Sequence, residues 1–271
     1  MKSLCSIALA AALVGTFAAQ AEDKLVIKGS DTLGAKMVPQ LAESYKEAGN
    51  AVSFEIAAEG SSAAFSNLLA GTADIGMSSR NIKDSEKEDF AAKGLEIQEW
   101  VGGFDMIAVI VNAKNGVEGL TTEQIEGIFT GDIKDWSELG GDAGPISVYT
   151  RNTSSGTYKT FQEMAMNDRD YGADTQKMAG NEQIAEEVAK NPNGIGYVGL
   201  AYTEKDGIKA VSVNDVAMKK ENAKDYPISR TLFFYTVKGK LSPAGEKFLN
   251  WAISDPKAVE VVERVGFIPA K

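Results

Sequence analysis

The chain has 271 residues, a formal net charge of −10 and no histidine. A surface this acidic opposes nucleic acid, which needs a basic footprint, and it repels anions, so any anion site must be built from local donors. Without histidine there can be no Ser-His-Asp triad, no imidazole base and no His-ligated metal.

In chain order, the first element is an export signal. Lys2 gives a positive start, residues 4–18 form a short apolar run, and Ala19-Gln20-Ala21 supplies a small-x-small cleavage pattern. Cleavage after Ala21 is expected, with the mature protein in a periplasm. Cys5 is the only cysteine and lies inside that signal, so the mature chain would hold no disulfide, thiol nucleophile or Cys metal site. No cofactor or metal is expected. The length remaining suits two domains.

From there, β-rich runs alternate with helical stretches, the pattern of an α/β fold on a largely parallel sheet. A strand over 25–28 leads through Gly29-Ser30-Asp31-Thr32 into a helix over 35–48. A strand over 52–57 leads through Gly60-Ser61-Ser62 into a helix over 63–70. A strand over 73–77 is followed by Ser78-Ser79-Arg80 and a helix over 85–93, with Ser85 and Glu88 as a capping box. The apolar run 104–111 reads as a fully buried strand. A helix over 122–130 and the loop around Trp136 follow. A strand over 146–150 then enters Arg151-Asn152-Thr153-Ser154-Ser155-Gly156-Thr157 and a helix over 158–166. Strands over 195–198 and 231–237, and helices over 244–254 and 256–265, complete the reading.

One event recurs four times: a strand ends, a Ser/Thr/Gly turn follows, and a helix is expected to begin. Helix N-termini carry unpaired N–H groups and the positive end of the dipole, and hydroxyls beside them add donors that suit an anion. In open α/β sheets such turns lie beyond the carboxyl ends of the strands, where ligands bind. Any single turn could be plain N-capping; four at equivalent strand ends point to a site. Of five arginines, Arg80 and Arg151 fall inside these turns, and a guanidinium fork offers an oxyanion two donors at once. A surface salt bridge is the alternative for either. Trp136 and Tyr197 read as packing residues.

The stretch VYTRNTSSGTYKTF resembles the Arg-x-x-x-Ser-Gly-Thr motif of the periplasmic phosphate-binding proteins of ABC phosphate importers. The resemblance runs through GSDT, GSS, ADIGMSSR, LTTEQIEGIFTGDIKDW, NPNGIGYVGLAY, YPISRTLFFYTV and GFIPA. It implies a two-lobed type II periplasmic-binding-protein fold, with two α/β lobes joined by two hinge strands around a cleft. Lobe one would be 22–106 plus 233–271, and lobe two 107–232. The implied ligand is inorganic phosphate, bound by Ser61, Arg151, Ser155, Gly156 and Thr157, with ligand groups also among Ser30, Asp31 and Thr32. Ser62, Ser79, Arg80 and Ser154 complete the candidate set. The implied partner is the importer's membrane permease, and the protein is expected to be a monomer.

One position departs from the family. Its members carry an aspartate immediately after the serine of the third turn, where this chain has Ser79 followed by Arg80. Asp31 is the only carboxylate within the four turns and could accept the proton of hydrogen phosphate; it could equally be a helix N-cap. Alternatives to phosphate capture are another tetrahedral oxyanion such as sulfate or molybdate, a non-transport phosphate sensor or adhesin, and, last, a phosphatase.

Overall fold

The computed structural model describes residues 23–271; the expected signal lies outside them. In chain order the elements are β1 (Asp23–Gly29), a π-wound turn (Leu33–Met37) running into α1 (Val38–Glu47), β2 (Val52–Ala58), α2 (Ser61–Ala70), β3 (Ile75–Ser78), α3 (Asp84–Ala92) and β4 (Ile97–Asn112). Next come β5 (Gly119–Leu120), α4 (Thr122–Thr130), β6 (Ser147–Arg151), α5 (Gly156–Ala165), β7 (Gln176–Met178), α6 (Asn181–Lys190), β8 (Gly194–Gly199), β9 (Ile208–Ala210) and β10 (Ser212–Val213). The chain ends with β11 (Ser229–Val237), α7 (Pro243–Ser254) and α8 (Pro256–Arg264).

The strands form one nine-stranded sheet in the order β2-β1-β3-β11-β4-β8-β6-β7, with β9 also pairing with β4. It is two sheets sharing one strand. Residues 97–106 of β4 pair antiparallel with β11, while residues 107–111 pair antiparallel with β8. On either side the pairs β1/β2, β1/β3, β6/β7 and β6/β8 are parallel, as α/β lobes require. Helices α1, α7 and α8 pack on the first group, where Tyr45, Phe248, Leu249 and Val262 are buried. The second group encloses Phe129, Trp136, Phe161 and Tyr197.

Strand β4 begins seven residues earlier than the apolar pattern suggested, because its first half pairs with β11 while leaving polar Gln98 and Glu99 exposed. A bulge interrupts the ladder at Gly102, where Val101 and Gly103 face successive β11 residues. The second crossing also differs. All of β11 from Ser229 pairs with the first half of β4, so residues 229–232 belong to the first lobe's sheet and not, as expected, to the second.

Helix α3 starts at Asp84, and its cap is Glu86 rather than the Ser85/Glu88 box. The Glu86 carboxylate accepts the Lys83 N–H at 2.8 Å and is also held by Arg80.

Candidate functional site

Three of the four turns open helices, and those of the first lobe meet the one of the second, Thr32 against Thr157 and Gly60 against Ser154. At the first, the helix begins immediately after Ser30, whose N–H bonds the Met77 carbonyl. At the second, Gly60 adopts φ 103° before α2. A side chain there would meet Ser154 Oγ at 2.6 Å, so only glycine lets the two loops close on each other. At the fourth, Ser155 caps α5, its Oγ accepting the Tyr158 N–H at 3.3 Å, so Gly156 and Thr157 form the first turn. The third turn opens no helix, since α3 starts only at Asp84. Its place is taken by a helix that the sequence reading missed: α6, whose first residue Asn181 donates its backbone N–H to Asp31 Oδ1 at 2.9 Å.

Ser61 Oγ lies 3.2 Å from Ser79 Oγ and accepts the Ser79 N–H at 3.0 Å. Both hydroxyls crowd the Cα of Gly156, so a Cβ on that residue would overlap them. Thr32 Oγ1 and Thr157 Oγ1 are 3.1 Å apart. Ser30, Thr32, Ser61, Ser79, Arg151, Ser155 and Thr157 are all buried.

Arg151 is 1 % exposed. Its Nη2 donates to the Ala179 carbonyl at 2.8 Å, and Nη1 lies 3.1 Å from Asp31 Oδ1. Yet Nε and Nη1 make no well-aligned hydrogen bond, and the buried Ser30 Oγ also lacks a partner among the described residues. Burial pulls the Arg151 pKa down; Asp31 opposes that shift, while the charge of Arg230 adds to it. A buried, under-bonded guanidinium beside a second one is an environment that an anion would relieve.

Asp31 bridges the lobes. Its Oδ1 accepts from the Asn181 amide side chain at 2.7 Å as well as from the Asn181 N–H, and faces Arg151. Among the described residues no hydrogen bond reaches Oδ2, which is therefore an available acceptor.

The remaining expected residues stand elsewhere. Arg80 was expected to face an anion, but its fork is taken by Glu86, at 2.6 and 2.8 Å, with Nη1 also on the Asn81 carbonyl. A carboxylate on the adjoining helix outcompetes the cleft. Ser62 and Ser154 join the two loops instead of pointing inward. The Ser62 N–H donates to the Ser154 carbonyl at 3.1 Å, and Ser154 Oγ lies 2.7 Å from Asn152 Oδ1 and 3.1 Å from the Glu59 carbonyl. Trp136 and Tyr197 are buried packing residues, and the Tyr197 hydroxyl accepts the Arg151 N–H at 3.1 Å.

The reading also missed Arg230 and Asp105, a buried pair 2.6 Å apart where β11 faces β4. An arginine inside an apolar strand was the signal, since such a charge must find a partner. A cavity of about 1000 Å³ is lined by this pair together with Arg80, Phe104, Met164 and Phe233. It touches none of Ser30, Ser61, Ser79, Arg151 or Thr157 and is too large to hold one small ion by close contact.

Relatives carry the same architecture. A family profile described as PBP superfamily domain matches residues 15–256. The chain is 34 % identical over 270 residues to the phosphate-binding protein PstS of Pseudomonas aeruginosa, covering 89 % of this chain and 81 % of that one. It is 30 % identical over 252 residues to PstS of Bacillus subtilis, covering 92 % and 82 %. The chain belongs to the PstS family of the PBP superfamily. Among solved structures, one from Clostridium perfringens, assigned as a phosphate ABC transporter substrate-binding protein and holding bound phosphate, superposes with a TM-score of 0.85. It is 33 % identical and covers 92 % of this chain and 100 % of its own. An ABC-type phosphate transport receptor from Vibrio cholerae gives a TM-score of 0.74 at 26 % identity, covering 90 % and 99 %. The fold is the two-lobed type II arrangement of this family.

Proposed function

We propose that the protein captures inorganic phosphate between its lobes and delivers it to the membrane permease of an ABC importer. It is a binding protein, not an enzyme. The observation that carries this reading is the set of buried donors left without an aligned hydrogen bond among the described residues, Arg151 Nε and Nη1 and Ser30 Oγ, with Nη1 held only by its ion pair to Asp31. Ser30 stands in the first turn and Arg151 at the start of the fourth, beside the Ser61–Ser79 pair of the second and third turns and the first turn of α5. Charge-assisted hydrogen bonds contribute about 1.5–3 kcal/mol each. A micromolar site needs about 8 kcal/mol, so a handful of these donors is enough even after the costs of desolvation and ordering.

The ligand groups are Ser30, Thr32, Ser61, Ser79, Arg151, Gly156 and Thr157, with Ser155 fixing the α5 turn. Asp31 Oδ2 accepts the proton that hydrogen phosphate carries and sulfate lacks. The closed arrangement, in which Asp31 meets Arg151 and Asn181 across the cleft, would be the form read by the permease. Residues 1–21 act as a cleaved signal that places the protein in the periplasm as a monomer. Among the described residues no helix is long and apolar enough to cross a membrane.

Isothermal titration of ligand-stripped protein with phosphate, sulfate and molybdate tests the reading. Tight, saturable binding of phosphate alone is the expected result. Equal binding of all three, or none, would refute it.

A further inference from the structure

Arg230 and Arg151 share the cleft but are bonded in opposite ways. The Arg230 Nε donates to Asp105 Oδ2 at 3.0 Å. Its Nη1 donates to the Ser79 carbonyl at 3.2 Å and to Thr157 Oγ1 at 2.9 Å. Its Nη2 donates to Asp105 Oδ2 at 2.6 Å and to Thr32 Oγ1 at 3.4 Å. A guanidinium has five N–H donors, and all five are used. Arg230 therefore has none left for a ligand, whereas Arg151 has.

What Arg230 touches is what matters. Thr32 and Ser79 belong to two loops of the first lobe, and Thr157 to the first turn of α5 in the second. Asp105, the anchor, accepts the Leu200 N–H of the second lobe at 3.0 Å through its other oxygen. The pair stands where the two shared strands face each other.

The hydroxyl protons are directed by the same contacts. Thr32 Oγ1 accepts from Arg230 and from the Asn181 amide at 3.4 Å. With two donors aimed at it, it is placed to donate to Thr157 Oγ1, 3.1 Å away. Thr157 Oγ1 in turn accepts from Thr32 and Arg230. In that arrangement its own proton is left over for a further acceptor.

We propose that Arg230, anchored by Asp105, is a positioning residue that aims the Thr157 hydroxyl proton at the bound anion and latches the lobes in the closed state. This rests on the phosphate reading above. If capture begins with the lobes apart, the Arg230–Thr157 bond forms only on closing, so the latch governs release rather than association.

The test measures exchange of radiolabelled phosphate against excess unlabelled phosphate, with association followed by stopped flow. Arg230→Lys should release phosphate at least about tenfold faster, with an association rate within about twofold of wild type, as expected when closed-state contacts alone are lost. The charge-neutral pair Asp105→Asn with Arg230→Gln should behave alike while still melting in one cooperative transition, which separates the latch from mere fold support. Adding Arg230→Lys to Thr157→Val should cost no more than Thr157→Val alone, because both act through one hydroxyl. Wild-type release rates in both Arg230 variants, or strictly additive effects with Thr157→Val, would overturn the proposal. If the wild-type protein itself retained no labelled phosphate, the phosphate reading would fall instead.

Discussion

Truncating Arg151 to alanine separates binding from folding more cleanly than any other change in the cleft. The variant removes two buried donors, Nε and Nη1, that have no aligned partner among the described residues. Losing one partner of a buried charge pair should weaken phosphate binding by about 3–5 kcal/mol. At about 1.4 kcal/mol per decade, that is roughly a 10²- to 10⁴-fold rise in Kd. The ligand-free fold should lose far less. The variant gives up the Nη2 bond to the Ala179 carbonyl and the 3.1 Å ion pair with Asp31, and leaves a void. It also relieves the burial and the Arg230 repulsion that depress the Arg151 pKa, and Asp31 keeps both bonds from Asn181. The net destabilisation should stay within about 2 kcal/mol. Isothermal titration and urea unfolding of stripped protein give the two quantities. Arg151→Lys should recover part of the affinity but not the fork. A Kd within threefold of wild type in the alanine variant would remove Arg151 from the site and with it the argument from unpartnered donors.

Arg80→Met should leave phosphate affinity within about twofold while lowering stability by up to about 3 kcal/mol, since it strands the Glu86 carboxylate; chemical denaturation alongside titration reads both. Gly156→Ala should force the Ser61 and Ser79 hydroxyls apart at a cost of about 1–3 kcal/mol, felt as weaker phosphate binding in titration because closure brings these loops together. Asp31→Asn should narrow the phosphate-to-sulfate affinity ratio at least about tenfold at fixed pH and salt, chiefly by admitting sulfate, as removal of a repulsive carboxylate predicts. An unchanged ratio would mean that Asp31 only braces the lobes. Phosphate at about one hundred times its Kd should stabilise the fold by about 2.7 kcal/mol, visible as a concentration-dependent rise in Tm; a flat Tm would contradict specific binding.

The sequence exposed those parts of the site whose chemistry is local. Ser30, Ser61 and Thr157 sit in turns whose composition announces a helix start, and Arg151 precedes a hydroxyl-rich loop. The helix Thr122–Thr130 was readable to the residue because Thr121 and Gln124 form its capping box and Gly131 ends it. Arg80 stood in the same kind of turn, but the reading could not see that Glu86 would reach it first. The pairing of Arg230 with Asp105 was hidden for the opposite reason, although an arginine within an apolar strand marks a charge that needs a partner. Each lies inside a strand, far from the turns in sequence, and only the antiparallel register of β11 on β4 brings them together. Helix α6 was missed because Gly180 and Asn181 give it no Ser/Thr cap, although Ile184, Ala185 and Val188 mark its buried face.

The placement of β11 has a consequence for how the molecule assembles. This strand lies between β3 and β4 in the sheet, yet the residues that form it come after the whole of the second lobe. In chain order, residues 107–228 precede β11, so the whole second-lobe segment lies ahead of the first lobe's central strand and last two helices. Until residues 229–237 arrive, β3 and the first half of β4 present bare edges with unpaired N–H and C=O groups, the kind of surface that recruits stray strands. Arg230 travels in that same late segment, so Asp105 waits without its counter-charge until nearly the whole chain has been made. Insertion of this one strand joins β3 to β4 and seats the buried ion pair, and α7 and α8, which follow it in the chain, then cover the first lobe.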